Sequence, residues 1–181
     1  MNIYFDTEFT GLHKNTTLIS IGLIDENGRT FYAEFTDYDK SQVDDWILVN
    51  VIEHLISSKS KNRFVYGASV FGEKTIVIGD KLKIKEELEN WLSIYDEVQL
   101  ISDVCHYDMV LFIDIFGDAF SIPKNVSAVC YDINQDIAKH FGCSNKEAFD
   151  MSREEIKING EKHNSLYDAM VIKEIYHIIN G

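Results

Sequence analysis

The 181-residue chain has a single proline, Pro123, and no low-complexity stretch that could act as a linker. Its three cysteines, Cys105, Cys130 and Cys143, are an odd number with no C-x-x-C pair. That argues against a disulfide framework or a zinc cluster and suits a reducing compartment. No apolar run reaches the length a transmembrane helix needs. The start, Met1-Asn2-Ile3-Tyr4-Phe5-Asp6, has no basic region ahead of an apolar one and is not read as a signal peptide. A cytoplasmic protein with no membrane partner is the expectation. Basic residues are scarce: 17 Lys and Arg stand against 30 Asp and Glu, a net charge of −13. A protein that coats nucleic acid would be basic, because such binding neutralises phosphates. A local cation-loaded site remains open, since a bound metal inverts the local field.

What is present is a core. Hydrophobic residues make up 45% and aromatics 12%, which excludes intrinsic disorder. The length suits one domain over 1–181. Residues 3–9, 17–24 and 30–35 read as strands of an antiparallel meander, with Asn27-Gly28 as a two-residue hairpin turn. Helical spacing marks 44–56, 80–95, 107–116, 132–141 and 166–179. Residues 97–102 and 126–131 read as further strands, and 64–79, punctuated by Gly67, Gly72 and Gly79, as a hairpin or flap. This predicts an α/β fold, a mixed five-stranded sheet with helices on both faces.

Three groups of carboxylates stand out. Asp6 and Glu8 lie two apart on a strand, so both leave the same face. Side by side they repel, and no Lys or Arg precedes Lys14 to neutralise them. Mg²⁺ or Mn²⁺ would, since both prefer carboxylate oxygens; an exposed acidic face is the plainer alternative. Asp168 falls on the core-facing stripe of the last helix, with Ile172, Ile175 and Ile179. Taken alone, it reads first as the close of a capping box, Ser165-Leu166-Tyr167-Asp168. Asp108 opens an apolar helix after a strand, where the helix dipole alone would favour it, and Asp103 is its rival.

Taken together, these pieces resemble the DEDDh family of 3′–5′ exonucleases, which have a ribonuclease H-like fold. Asp6-Thr7-Glu8-Phe9-Thr10-Gly11-Leu12 matches its D-x-E-x-T-G-L motif. Tyr107-Asp108 is similar to the second motif, and His163 with Asp168 to H-x4-D. The resemblance covers residues 3–179 and is greatest to a small branch of stand-alone exoribonucleases that includes phage exonucleases; ribonuclease T and oligoribonuclease are more distant. Many members place an Asn ahead of the second Asp, and here Asp103 sits near that place.

The resemblance implies hydrolysis of phosphodiester bonds from the 3′ end of single-stranded nucleic acid, RNA before DNA, releasing nucleoside 5′-monophosphates. It implies two divalent cations, Mg²⁺ or Mn²⁺, which at about 4 Å apart activate water and stabilise the leaving oxygen. Asp6, Glu8 and Asp168 would hold one, Asp6 would bridge to the other, and Asp108 would bind that second ion directly or through water. His163 would be the general base. Thr7, Phe9, Thr10, Gly11 and Leu12 would form the pocket for the 3′-terminal nucleotide, although Phe9 could as well be core. A homodimer is also implied. The run Lys59-Ser60-Lys61-Asn62-Arg63 could hold phosphates of the incoming strand, and Tyr66 and Phe71 could stack on its bases; a solvated loop is the simpler reading. The alternatives are a DNA-trimming exonuclease or a non-catalytic binding module on the same fold.

Overall fold

The computed structural model describes residues 1–59, 67–151, 160 and 162–181. Residues 60–63 of the basic run, Tyr66 and the Phe71 side chain lie outside the described residues. The chain opens with β1 (Asn2–Phe9), β2 (Leu18–Asp25) and β3 (Thr30–Phe35), the antiparallel meander that the alternation predicts. The Asn27-Gly28 connection is a four-residue loop over 26–29 rather than a two-residue turn. The Asp25 carboxylate closes it, accepting from the backbone N–H groups of Asn27 and Arg29.

The expected helix over 44–56 breaks into α1 (Asp45–Asn50), a 3₁₀ turn (Ile52–His54) and α2 (Ile56–Lys59). The reason is non-local. Buried Glu34 on β3 accepts from the N–H groups of Ile56 and Ser57, at 2.6 and 3.1 Å, and starts a new helix there. Next come β4 (Gly67–Phe71), β5 (Lys74–Gly79), α3 (Lys81–Leu92), β6 (Gln99–Ser102) and α4 (His106–Phe116). The chain closes with β7 (Tyr131–Asp132), α5 (Asn134–Phe141), α6 (Asn145–Met151) and α7 (Ser165–Asn180). The spacing of apolar residues does not reveal α6. Its capping box does: Ser144 and Glu147 exchange hydrogen bonds across its first turn.

The mixed sheet has seven strands, ordered β4-β5-β3-β2-β1-β6-β7, where the sequence predicts five. The difference is the glycine-punctuated segment. It closes as the β4–β5 hairpin, and β5 pairs in parallel with β3 from Thr30↔Lys74 to Phe35↔Gly79. The stretch expected as a strand over 126–131 reduces to one bridge, Val98↔Val126, and the short β7.

Helices cover both faces. On one, Ile3 and Phe5 of β1 pack with Leu88 and Trp91 of α3 and Phe112 of α4. On the other, Tyr4 and Ile24 pack with Ile137 of α5 and Ile172 and Ile175 of α7. β1 lies between β2 and β6, buried on both sides, so any polar group on it answers to a neighbouring helix. Among the described residues, no helix is long and apolar enough to cross a membrane.

Candidate active site

The end of β1 carries the first acids. Alternation sends Asp6 and Glu8 to the α7 face, with Tyr4, and sends Thr7 to the α4 face, with Phe5. Asp6 pairs with Gly22 of β2 and Glu8 with Ser20, and the register shifts between Glu8 and Phe9. Such irregularities re-aim side chains beside active sites. The small residues on β2 are what admit α7. A Cβ on Gly22 would lie 2.3 Å from the Leu166 Cα, and Ser20 Oγ meets Ser165 Oγ at 3.0 Å. The first turn of α7 therefore rests on β2 and aims Asp168 at the β1 acids. One oxygen each from Asp6, Glu8 and Asp168 lies within 4.8 Å of the others, the one such group of metal-ligating side chains among the described residues.

Asp168 does not close a box with Ser165. The cap of α7 is Asn164, whose side chain accepts from the Tyr167 N–H at 3.2 Å, while the Ser165 hydroxyl is taken up by Ser20. The Asp168 carboxylate instead accepts from the backbone N–H of His163 at 2.9 Å. That bond holds His163 in a left-handed conformation, φ 64°, which costs on the order of 1 kcal/mol and recurs at functional sites. The imidazole stands edge-on to Trp46, ring centres 5.1 Å apart.

Asp108 approaches from the other layer. Its Oδ1 accepts from the Thr7 N–H and, at 2.5 Å, from Thr7 Oγ1; its Oδ2 accepts from Ser102 Oγ at 2.6 Å. Thr7 thus anchors an acid with both its N–H and its hydroxyl, and it also borders the cavity. Asp103 is also buried nearby. Asp6 is pushed well above the usual carboxylate range, first by burial and then by the charges of Asp108, Asp168, Glu8 and Asp103, in that order. Burial pushes Asp108 up to about 7, against the pull of its Ser102 and Thr7 hydrogen bonds. Of the two rival acids, Asp108 bears harder on Asp6 than Asp103 does.

Asp6 and Thr7 open onto a cavity of about 490 Å³, while Asp108 lies behind them, outside its lining and outside the three-acid cluster. Asp6, Glu8, Asp168 and His163 form its polar side. Phe9, Leu12, Trp46, Ile47 and Val51 form its apolar side, with Gly11 at the rim at φ 148°, a conformation glycine alone adopts freely. Leu12 and Trp46 are 79% and 53% exposed, apolar surface on the cavity that the acids also line. Phe9 serves twice, stacking on Tyr107 at 5.3 Å and bordering the cavity. Thr10 does not line it; its buried hydroxyl bonds Gln42 and ties down the β1–β2 loop. The α1 wall escapes the sequence reading, because Trp46, Ile47 and Val51 look there like one core stripe. The signal was Trp46, a large aromatic among charged neighbours, Asp44 and Asp45.

The donor set is all carboxylate, and no lysine or arginine lines the cavity among the described residues. It fits a hard, oxygen-seeking divalent cation. Residues 1–180 match the Rv2179c-like 3′–5′ exoribonuclease domain family. The chain belongs to that family. It is a hydrolytic 3′–5′ exonuclease, the class its motifs imply. This exoribonuclease domain is 26% identical over 137 residues to the 3′–5′ exoribonuclease Rv2179c of Mycobacterium tuberculosis strain H37Rv, covering 75% of this chain and 73% of the relative. The 3′–5′ exoribonuclease MT2234.1 of M. tuberculosis strain CDC 1551 matches to the same extent.

Among solved structures, the domain is similar to S. pombe Pop2p in its Mg²⁺- and Mn²⁺-bound form, with a TM-score of 0.61, 17% identity, and 99% and 82% of the two chains covered. It is similar to the nuclease domain of 3′hExo, a DEDDh family member bound to rAMP, at 0.64 and 13% identity over 99% and 90%. A 3′-exonuclease recognising the histone mRNA stem-loop matches at 0.65 and 14% identity, over 98% of this chain and 63% of that one. The fold is that of the ribonuclease H-like DEDDh nucleases.

Proposed function

We propose that residues 1–181 act as one domain that removes nucleoside 5′-monophosphates from the 3′ end of single-stranded RNA, with two divalent cations, Mg²⁺ or Mn²⁺. The meeting of Asp6, Glu8 and Asp168 within 4.8 Å, beside an apolar cavity, carries this reading. The choice of RNA is supported by the names of the M. tuberculosis relatives and by rAMP in the 3′hExo structure. Pop2p, with Mg²⁺ and Mn²⁺ bound, supports the choice of ions.

In this reading Asp6, Glu8 and Asp168 would hold one cation, and Asp6 with Asp108 would hold the other, Asp108 directly or through water. Such ions, when bound, offset phosphate charge and acidify water. Thr7 and Ser102 keep the Asp108 carboxylate aimed. His163, at the cavity wall, takes the proton of the attacking water. Phe9, Leu12 and Trp46 offer the terminal base a sequence-tolerant surface. Residue by residue, Asp103 is left beside the site as a buried neighbour. The implied homodimer belongs to this reading too, and sedimentation velocity distinguishes it from a monomer.

The test uses 5′-labelled RNA and DNA oligomers with Mg²⁺, Mn²⁺ or EDTA. A ladder shortening from the 3′ end, faster on RNA and absent in EDTA, is expected. Cleavage that persists in EDTA removes the metal assignment, and faster shortening of DNA transfers the activity to the trimming alternative.

A further inference from the structure

Two of the three cysteines meet at the start of α4. Cys105 occupies the cap position of that helix, Cys130 precedes β7, and their side chains interact directly. A cap position favours Ser, Thr, Asp or Asn, whose oxygens take up the first free N–H groups of the helix. The Cys105 side chain makes no such bond. Its thiol meets Cys130 instead. Cys130 also packs against the core that holds Phe112 of α4, so the pair joins the edge of the sheet to the beginning of the helix. Both cysteines are partly exposed and line one cavity of about 430 Å³, with Asp132 and Asp136 in its wall. A small solute therefore reaches both sulfurs.

The path from this pair to the candidate active site is short. Asp108 lies in the first turn after Cys105, held by Thr7 and Ser102. Between β6 and α4 the chain turns at Val104, φ 56°, a left-handed conformation that a β-branched residue rarely adopts. The Val104 N–H is held at 3.3 Å by Asp132 Oδ1, which also accepts from the Asn134 N–H at the start of α5. Drawing two sulfurs from contact to the bonded separation of about 2.05 Å pulls first on this strained turn, and through it on the first turn of α4.

We propose that Cys105 and Cys130 are a redox modification site: peroxide joins them in a reversible disulfide that displaces the first turn of α4, and Asp108 with it, and so lowers exonuclease activity. Disulfides in reducing compartments are commonly transient and redox-sensing, which suits a pair that stands free here. No lysine or arginine lines the cavity among the described residues, while two carboxylates do, so a neutral oxidant enters more readily than an anionic one. Burial raises both thiols, and the contact with Cys130 partly offsets that rise for Cys105. Cys105 is thus the attacking sulfur. Its thiolate attacks one peroxide oxygen, the O–O bond breaks, and a sulfenic acid and a hydroxide result. The Cys130 sulfur then displaces hydroxide from the sulfenic acid to form the S–S bond. The two thiol protons turn both hydroxides into water, so two thiols are oxidised and one peroxide is reduced to two waters. The site itself lies beyond the exonuclease reading; its effect on activity rests on that reading, through Asp108.

The test treats wild type, Cys105→Ser, Cys130→Ser and Cys143→Ser with hydrogen peroxide, removes the oxidant, and reads each protein twice. A non-reducing peptide map reports the cross-link, and a labelled RNA oligomer with Mn²⁺ reports the activity. Oxidised wild type should yield a Cys105–Cys130 peptide and lose about 10²-fold in kcat, the order expected for a displacement of about 1 Å. Dithiothreitol should reverse both changes. Cys143→Ser should behave as wild type, while Cys105→Ser and Cys130→Ser should form no cross-link and keep their activity in peroxide. Cross-linking should also speed up about tenfold per pH unit above neutrality, because the thiolate attacks. A map without the Cys105–Cys130 peptide overturns the site. A cross-link that leaves activity unchanged, or an equal loss in the Cys105→Ser variant, overturns its control of Asp108. Reduced wild type that shortens no RNA in Mg²⁺ or Mn²⁺ overturns the exonuclease reading alone, since the map judges the disulfide without it.

Discussion

Asp6 is buried beside four other carboxylates, and the physics of that position makes a prediction without any substrate. Burial and neighbouring charge raise the pKa of Asp6 and bring Asp108 from 3.8 to about 7. The folded protein therefore holds protons that the unfolded chain has released, and between about pH 4 and pH 7 its stability falls as pH rises. In EDTA, the melting temperature should decline across that window, and Asp6→Asn should flatten the decline. A profile that climbs with pH would contradict the burial of unneutralised acids. Asp6→Asn should also abolish hydrolysis while leaving the metal-free fold at least as stable, since one repelling charge is gone. At His163 the expectation is kinetic. His163→Ala should cost about 10²- to 10⁴-fold in single-turnover rate and erase one limb of the pH–rate profile. It should leave the stabilisation by Mg²⁺ intact. A rate close to wild type would reduce His163 to a loop residue packed edge-on against Trp46.

Among the elements, the contact between β2 and the first turn of α7 decides whether a site exists. Gly22 and Ser20 lie directly beside Asp6 and Glu8 in the sheet, and both are small enough for the α7 backbone to rest on them. In Gly22→Ala a Cβ would sit 2.3 Å from Leu166, so the helix turn must move, and Asp168 with it. Displacements of about 1 Å can cost about 10²-fold in rate. We expect a loss of that order with the fold retained, read as kcat together with a weakened Mn²⁺ midpoint. Ser20→Ala should cost little, because it removes one hydroxyl pair and adds no volume. Near-equal effects of the two substitutions would mean that the close approach at Gly22 does not set the position of Asp168.

For the whole molecule, the acid cluster links metal binding to folding. Ions that bind the folded state alone stabilise it by about 2.7 kcal/mol at a hundred times their dissociation constant. Calorimetry with Mg²⁺ or Mn²⁺ should therefore show a raised melting temperature, reversed by EDTA. Asp168→Asn should remove most of the shift. If that variant responds to metal as wild type does, Asp168 serves the His163 N–H and nothing more.

How much of this was legible in the chain depends on how local each feature is. The sequence by itself determined the meander, the helices on both faces and the pairing of Asp6 with Glu8, because a period of two along one strand decides which side chains share a face. The spacing of His163 and Asp168 was equally plain, but not the work they do: taken alone, Asp168 reads first as part of a cap with Ser165, and the structure gives the cap to Asn164. Tertiary structure alone decided what depends on contacts far apart in sequence. Glu34 splits the helix expected over 44–56 by binding N–H groups 22 and 23 residues away. The hairpin at 67–79 becomes sheet because the edge of β3 leaves backbone groups to pair. Thr7 holds Asp108 across 101 residues, and no spacing rule announces that bond. Trp46 joins the site because its helix folds over the end of β1, where burying the rest of the α1 stripe leaves the indole half exposed above the acids.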